Sequence, residues 1–249
     1  LGSAQVALSG GSRAAQYMLL EQAIRETRPG GAGDPALLQP AGREALARYL
    51  VGGRVVFGVN RAADILQVLA LARRHGMRPV IAGGAEAWLV ATELAAAKAA
   101  VVLDPLVNLP ASFDALGARL DNAARLQRAG VVVVFSMTGL APHFAHKVRQ
   151  SAGNAVAHGM PWDAALAGLT ANPAAVFGLG ASRGRIETGM VADLVLWNGD
   201  PLEVTSAADQ VWVGGKPMSM RSRQTELLDR YLPQAARQLH AVGGVEDHR

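Results

Sequence analysis

The side chains able to do chemistry in this chain fall in small groups just after short apolar runs. Asn60, Arg61 and Asp64 follow the run Arg54 to Val59, where Arg61 could grip a carboxylate with two parallel hydrogen bonds. The same three residues also suit a plain strand-to-helix turn, with Asp64 in the first helical turn and paired to Arg61, and both readings stay open. Glu86 follows Val80 to Gly84 and is either a pocket acid or, more simply, a carboxylate in the first turn of a helix. Asp104-Pro105 and Asn108-Leu109-Pro110 close the run Ala100 to Leu103 and shape a loop within reach of the same region. His143 and His146, three residues apart, could form a metal pair, although two histidines at the amino end of a surface helix are more often solvated. His158, before Gly159, reads as a structural helix-end residue. Six histidines and no cysteine exclude thiolate chemistry, disulfides and cysteine-held zinc. No Ser-His-Asp set, phosphate-binding loop or HExxH pattern occurs, and Gly83-Gly84 lacks the third glycine of a dinucleotide fingerprint.

These residues need elements to hold them, and the pattern from residue 54 onward supplies one. Strands are expected at Arg54 to Val59, Pro79 to Ala82, Ala100 to Leu103 and Gly130 to Ser136. Helices are expected between them at Ala62 to His75, Glu86 to Ala97 and Phe113 to Arg128, with Gly76 and Gly130 in left-handed caps. Alternation of this kind is the signature of parallel strands with crossover helices. Upstream, Ser12 to Thr27 reads as a helix followed by a flexible Gly30-Gly31-Ala32-Gly33 break. Downstream, Pro161 opens a helix and Asn172-Pro173 divides it in two. After Gly184 the character changes: Ile186, Ala192 to Trp197 and Val211 to Val213 read as short strands of a small β-sandwich, and Arg221 to His240 as a final helix.

Composition narrows the classes. Half of the 249 residues are hydrophobic and 18% are charged, which suits a folded core and not disorder. No apolar run approaches the roughly 18 residues of a membrane span. The net charge of +4 is spread along the chain, and without a dense basic cluster it does not mark a nucleic-acid surface. A first residue of Leu1 with no charged leader ahead of an apolar stretch gives no sign of a signal peptide.

Several ordered motifs carry a resemblance. Gly159-Met160-Pro161-Trp162-Asp163-Ala164-Ala165-Leu166 and Leu169-Thr170-Ala171-Asn172-Pro173-Ala174 are followed by Gly178-Leu179-Gly180 and Gly184-Arg185-Ile186-Glu187-Thr188-Gly189. Ala192-Asp193-Leu194-Val195-Leu196-Trp197 and Gly199-Asp200-Pro201-Leu202 complete the series. Together they resemble the carboxyl-terminal portion of the amidohydrolase superfamily, most closely its imidazolonepropionase-like branch. The resemblance implies an α/β fold, a partial (β/α)8 TIM-type barrel with a small C-terminal β-sandwich. It divides the chain into a barrel part at 1–183, a sandwich segment at 184–220 and a helix with tail at 221–249. Because four barrel strands are legible and a closed barrel has eight, the remainder is expected from an upstream segment or a partner chain.

The same resemblance implies hydrolysis of non-peptide carbon–nitrogen bonds by water activated on one or two divalent metals, with zinc the family expectation. It places the fifth-strand ligand at Gly58 or Asn60, the sixth-strand ligand at Gly83 and the last-strand aspartate at Thr138, none of which offers imidazole or carboxylate. A His-x-His pair expected on the first strand would precede Leu1. Two function classes follow: an amidohydrolase-family hydrolase whose metal centre is degraded in this segment, or an inactive homologue serving as a structural or regulatory partner. A third, metal-independent chemistry, would use Asn60, Arg61 and His143. No metal or cofactor is expected from the segment itself. The expected partners are a small-molecule ligand and an amidohydrolase homologue or upstream segment in a homo- or hetero-oligomer. The compartment is not legible from the residues, and the resemblance leans to the periplasm.

Overall fold

The computed structural model describes residues 11–50, 53–107, 110, 112–137 and 142–242. Helix α1 (Arg13–Glu26) is capped by Ser12, whose hydroxyl accepts from the Ala15 amide at 3.0 Å. Helix α2 (Pro40–Leu50) follows, an element with no counterpart in the sequence expectations. Glu26 joins the stretch between them to α1, because its carboxylate accepts from the backbone amides of Leu37 and Leu38 at 2.7 and 2.8 Å. Those bonds hold its carboxyl below the usual glutamate range.

The alternation read from the sequence builds one parallel sheet. Strands β1 (Arg54–Val59), β2 (Arg78–Gly83), β3 (Ala100–Leu103) and β4 (Val133–Phe135) lie side by side in chain order. Their registers align Val59 with Gly83 and Leu103 with Phe135, so the carboxyl ends come level. Helix α3 (Ala62–His75) stacks Ile65, Val68 and Leu71 on the sheet, each at most 1% exposed. Burial of each such side chain stabilises the fold by about 1.5–3 kcal/mol. Gly76, at φ 66°, ends α3 in the left-handed conformation that glycine adopts without strain.

Two expected helices are shorter than their sequence pattern. Glu86 to Ala97 begins as a 3-10 turn at Ala87–Val90 and becomes helix α4 only at Ala91–Ala96. Phe113 to Arg128 is a 3-10 turn at Phe113–Ala115 and then, after a break, helix α5 (Asn122–Arg128). Tertiary contacts interrupt the second helix. The Gly117 carbonyl accepts from the Trp88 indole at 2.9 Å, and a Cβ at Gly117 would stand 2.6 Å from the Glu86 side chain. A regular helix has no room for that approach.

Helices α6 (Val148–Ala157), α7 (Trp162–Leu169) and α8 (Ala171–Val176) follow a 3-10 turn at Pro142–Lys147. Pro161 caps α7, and Thr170 separates α7 from α8, two residues ahead of where Asn172-Pro173 had placed the division. Leu202 is buried against α6, where a Cβ at Gly153 would collide with its carbonyl at 2.5 Å. Arg149 fastens the same segment by donating to the Pro201 and Glu203 carbonyls.

Residues Val191–Asp200 and Ser206–Arg249 form a second compact unit, distinct from Leu1–Met190 with Pro201–Thr205. It contains an antiparallel sheet of β5 (Leu194–Trp197), β6 (Ala208–Val213) and β7 (Lys216–Pro217), then helix α9 (Arg223–Val242). The β5–β6 register shifts between Leu196 and Trp197, a bulge. Ile186 is no strand residue and stands 87% exposed. No helix of the described residues is long and apolar enough to cross a membrane.

Candidate functional site at the strand ends

A cavity of about 440 Å3 opens at the carboxyl ends of β1, β2 and β3. In open and closed parallel sheets alike, ligands collect at this end, because the loops that leave the strands there are free to vary. Its floor is Gly58 and Val59 from β1, Ala82 and Gly83 from β2, and Leu103 from β3; Asn60, Asp104, Arg119 and Asn122 add the polar groups. The rest of the wall is apolar, from Ala85, Pro105, Val107 and Ala115.

The β1 and β2 ends are clasped by hydrogen bonds. The Gly84 amide donates to the Val59 carbonyl at 2.7 Å and the Glu86 amide to the Asn60 carbonyl at 2.8 Å. Asn60 Oδ1 stands 3.4 Å from the Ala85 amide. A Cβ placed on Gly83 would meet that Oδ1 at 2.5 Å, and Gly83 already adopts φ 95°. The Asn60 carboxamide therefore occupies the space that a side chain at position 83 would need.

Glu86 is a neighbour of this clasp and not a pocket acid. Its Oε2 accepts from the Ala62 amide at 3.0 Å, satisfying an orphan donor at the start of α3 from outside the helix. Arg61, the N-cap residue of α3, makes no side-chain capping bond, is exposed and is not among the residues that line the cavity. Asp64 is in the first turn of α3, as expected, but its partner is Arg13, at 2.9 Å, instead of Arg61. Arg13 also pairs with Asp114, and the Tyr17 hydroxyl donates to the Asp64 carbonyl at 2.8 Å. Burial pushes the Tyr17 phenol up, and the nearby Asp64 charge adds to the effect. Both aspartates are buried, so α1 supplies the cation that lets them be so.

Of the residues singled out from sequence, Gly58, Asn60, Gly83 and Asp104 come together at the cavity, while Arg61 and Asp64 do not. Thr138, Asn108 and Leu109 lie outside the described residues, as does the side chain of His143, which falls in the Pro142–Lys147 turn. His146 is exposed in the same turn, and His158 ends α6 with Nδ1 2.8 Å from the Asn154 carbonyl. Among the described residues, no three histidine, aspartate or glutamate side chains gather closely enough to hold a metal ion.

Arg119 and Asn122 were not foreseen as cavity residues, because both sit where the sequence pattern reads as continuous helix. Arg119 donates through Nε and Nη2 to the two Asp121 oxygens at 2.6 and 3.0 Å, and lies 4.9 Å from the centre of the Trp88 ring. Arg125 reaches Asp121 at 2.8 Å. The Arg119 hydrogen bonds hold the Asp121 carboxyl far below the usual range. Asn122 donates to the Gly84 carbonyl at 2.9 Å, tying α5 to the β2 loop, while its Oδ1 is buried with no hydrogen-bond partner among the described residues. At Asp104, half-buried, desolvation pushes the carboxyl up, and the Leu106 amide donating at 3.0 Å only partly opposes this.

Residues 129–218 match the amidohydrolase family model. The match is confined to that segment, about a third of the chain, and there the chain is similar to the amidohydrolase family. Over 58 residues, 23% of the chain and 6% of the relative, it is 47% identical to amidohydrolase tasK of Hapsidospora irregularis. Among solved structures it is similar to an amidohydrolase from Thermotoga maritima, with 24% identity and a TM-score of 0.76 over 86% of the chain and 58% of that protein. An adenosine deaminase from Xanthomonas campestris with bound zinc shares the fold at 21% identity and a TM-score of 0.52, over 81% of the chain and 55% of that protein. The Escherichia coli guanine deaminase does so at 17% identity and 0.51, over 85% and 60%. The chain thus spans little more than half the length of these solved relatives. The fold they share is mixed α/β with a parallel sheet.

Proposed function

We propose that this chain is part of an amidohydrolase-type (β/α) barrel that binds a small organic molecule at its strand ends without a dication held by the described strands. The observation that carries the reading is the cavity itself. Its floor is formed by Gly58, Asn60 and Gly83, the positions where the family resemblance puts imidazole ligands. The residues present do not fit zinc. Two glycines offer no donor, and a carboxamide is a poor ligand for a borderline-soft dication. Nor is the position at Gly83 merely vacant, because the Asn60 side chain fills the volume a ligand there would use. The cavity keeps what small-molecule sites share: concavity, a mostly apolar wall and a few converging polar groups. The family resemblance suggests hydrolysis of carbon–nitrogen bonds, and the chain's own contribution is a binding pocket.

Metal analysis and zinc titration of the purified full chain test this. The expected result is zinc well below one ion per chain and no rise in Tm on adding zinc. About one zinc per chain, released on Asn60→Ala substitution, would overturn the reading.

A further inference from the structure

We infer that the cavity selects an organic cation, a protonated amine or an amidinium group, and that Asp104 is the residue that receives it. The inference rests on the reading of the strand-end cavity as a small-molecule site. Two formal charges line that cavity, Asp104 and Arg119. They are not equivalent. Arg119 is already matched: two of its N–H groups are spent on Asp121, and its face covers Trp88. Arg125 shares the same carboxylate, so Arg119 enters the cavity with most of its donors engaged and its orientation fixed by Asp121 and Trp88.

Asp104 has no such partner. Among the described residues no basic side chain pairs with it, and the one hydrogen bond it receives, at Oδ1, comes from the Leu106 backbone amide two residues on. The residue itself lines the cavity. A half-buried carboxylate with a single neutral donor is short of what its desolvation demands, and this is why burial raises its carboxyl. Among the described residues that line the cavity, Asp104 is the charged side chain with no oppositely charged side chain bonded to it. A ligand bringing positive charge and N–H donors supplies what the site lacks, whereas a carboxylate would add a second unmatched anion. The apolar remainder of the wall, Val59, Leu103, Pro105 and Val107 among it, suits a hydrocarbon or aromatic body behind the charged group.

Three probes of the same shape and different charge separate the possibilities: benzamidine, benzamide and benzoate, titrated calorimetrically into the full chain near pH 7. Benzamidine is expected to bind at least ~10-fold more tightly than benzamide, the factor a charge-assisted hydrogen bond gives, with benzoate weakest. Asp104→Asn is expected to erase the preference. Gly58→Leu, whose side chain would enter open space at the cavity floor, is expected to abolish binding of all three. Equal affinity for benzamide and benzamidine, or a preference that survives Asp104→Asn, would overturn the cation inference while leaving the cavity as a binding site. Absence of binding by every probe, or binding untouched by Gly58→Leu, would overturn the cavity reading and the inference with it. The wild-type ranking needs no variant, so a poorly folded Asp104→Asn protein does not remove the test.

Discussion

Substituting Gly83 by alanine probes the clasp between β1 and β2 directly. The new Cβ would stand 2.5 Å from Asn60 Oδ1 and 3.3 Å from the Val59 carbonyl, on a residue whose φ is 95°. A side chain in that backbone region costs about 1–3 kcal/mol. Pushing the Asn60 carboxamide aside sacrifices its long contact with the Ala85 amide, worth about 0.5 kcal/mol. The expected destabilisation is about 2–3 kcal/mol, measured by urea denaturation at constant m-value. Gly58→Ala is the control. A Cβ there meets nothing within 4 Å, and the stability change is expected to stay within about 0.5 kcal/mol. In the double variant Asn60→Ala with Gly83→Ala the steric part is relieved and the backbone part is not, so the two changes should couple by about 0.5 kcal/mol. Gly83→Ala as stable as the parent, or a double variant that is simply additive, would refute the interlock. The consequence reaches beyond alanine: histidine at 83 carries the same Cβ, so an imidazole cannot be placed there by one substitution without the same strain.

Two further outcomes follow from the ion pairs. Arg13→Ala leaves the buried Asp64 and Asp114 carboxylates without their shared cation, and because Arg13 is itself 31% exposed the cost is expected at about 1–3 kcal/mol, below that of a fully buried pair; an unchanged denaturation midpoint would contradict it. Asp121 is held down by Arg119, so its contribution is present above the ordinary aspartate pKa and fades as pH falls below about 4. The stability gap between the parent and Asp121→Asn should accordingly be open at pH 7 and narrow at pH 2.5, and a gap that stays constant across that range would exclude the linkage.

Much of the fold was written in local pattern. The runs Arg54 to Val59 and Ala100 to Leu103 are strands because β-branched residues fit a pleated, buried surface, and Ala62 to His75 is a helix because its apolar residues recur on one face and Gly76 ends it. Motifs in 159–202 were enough to point to the amidohydrolase superfamily, since order and spacing survive even where overall identity is low. They did not reveal that Glu86 caps α3 from another loop, because such a contact has no local sequence signal.

What the tertiary structure decided is which polar residues meet. Asp64 could pair with Arg61 three residues away, yet it pairs with Arg13, 51 residues away, because α1 brings a guanidinium to a carboxylate that packing has already buried. Arg119 and Asn122 reach the cavity only because the Gly117 carbonyl goes to Trp88 and breaks the helix that local propensity favours. Propensity is a sum of small local terms, each a few tenths of a kcal/mol, and one buried hydrogen bond or close approach exceeds it. Residue type at 58, 60 and 83 determined that imidazole is absent from those positions. That Asn60 fills the volume above Gly83, and that Asp104 faces the cavity unmatched, came from the way parallel strands bring their carboxyl ends level.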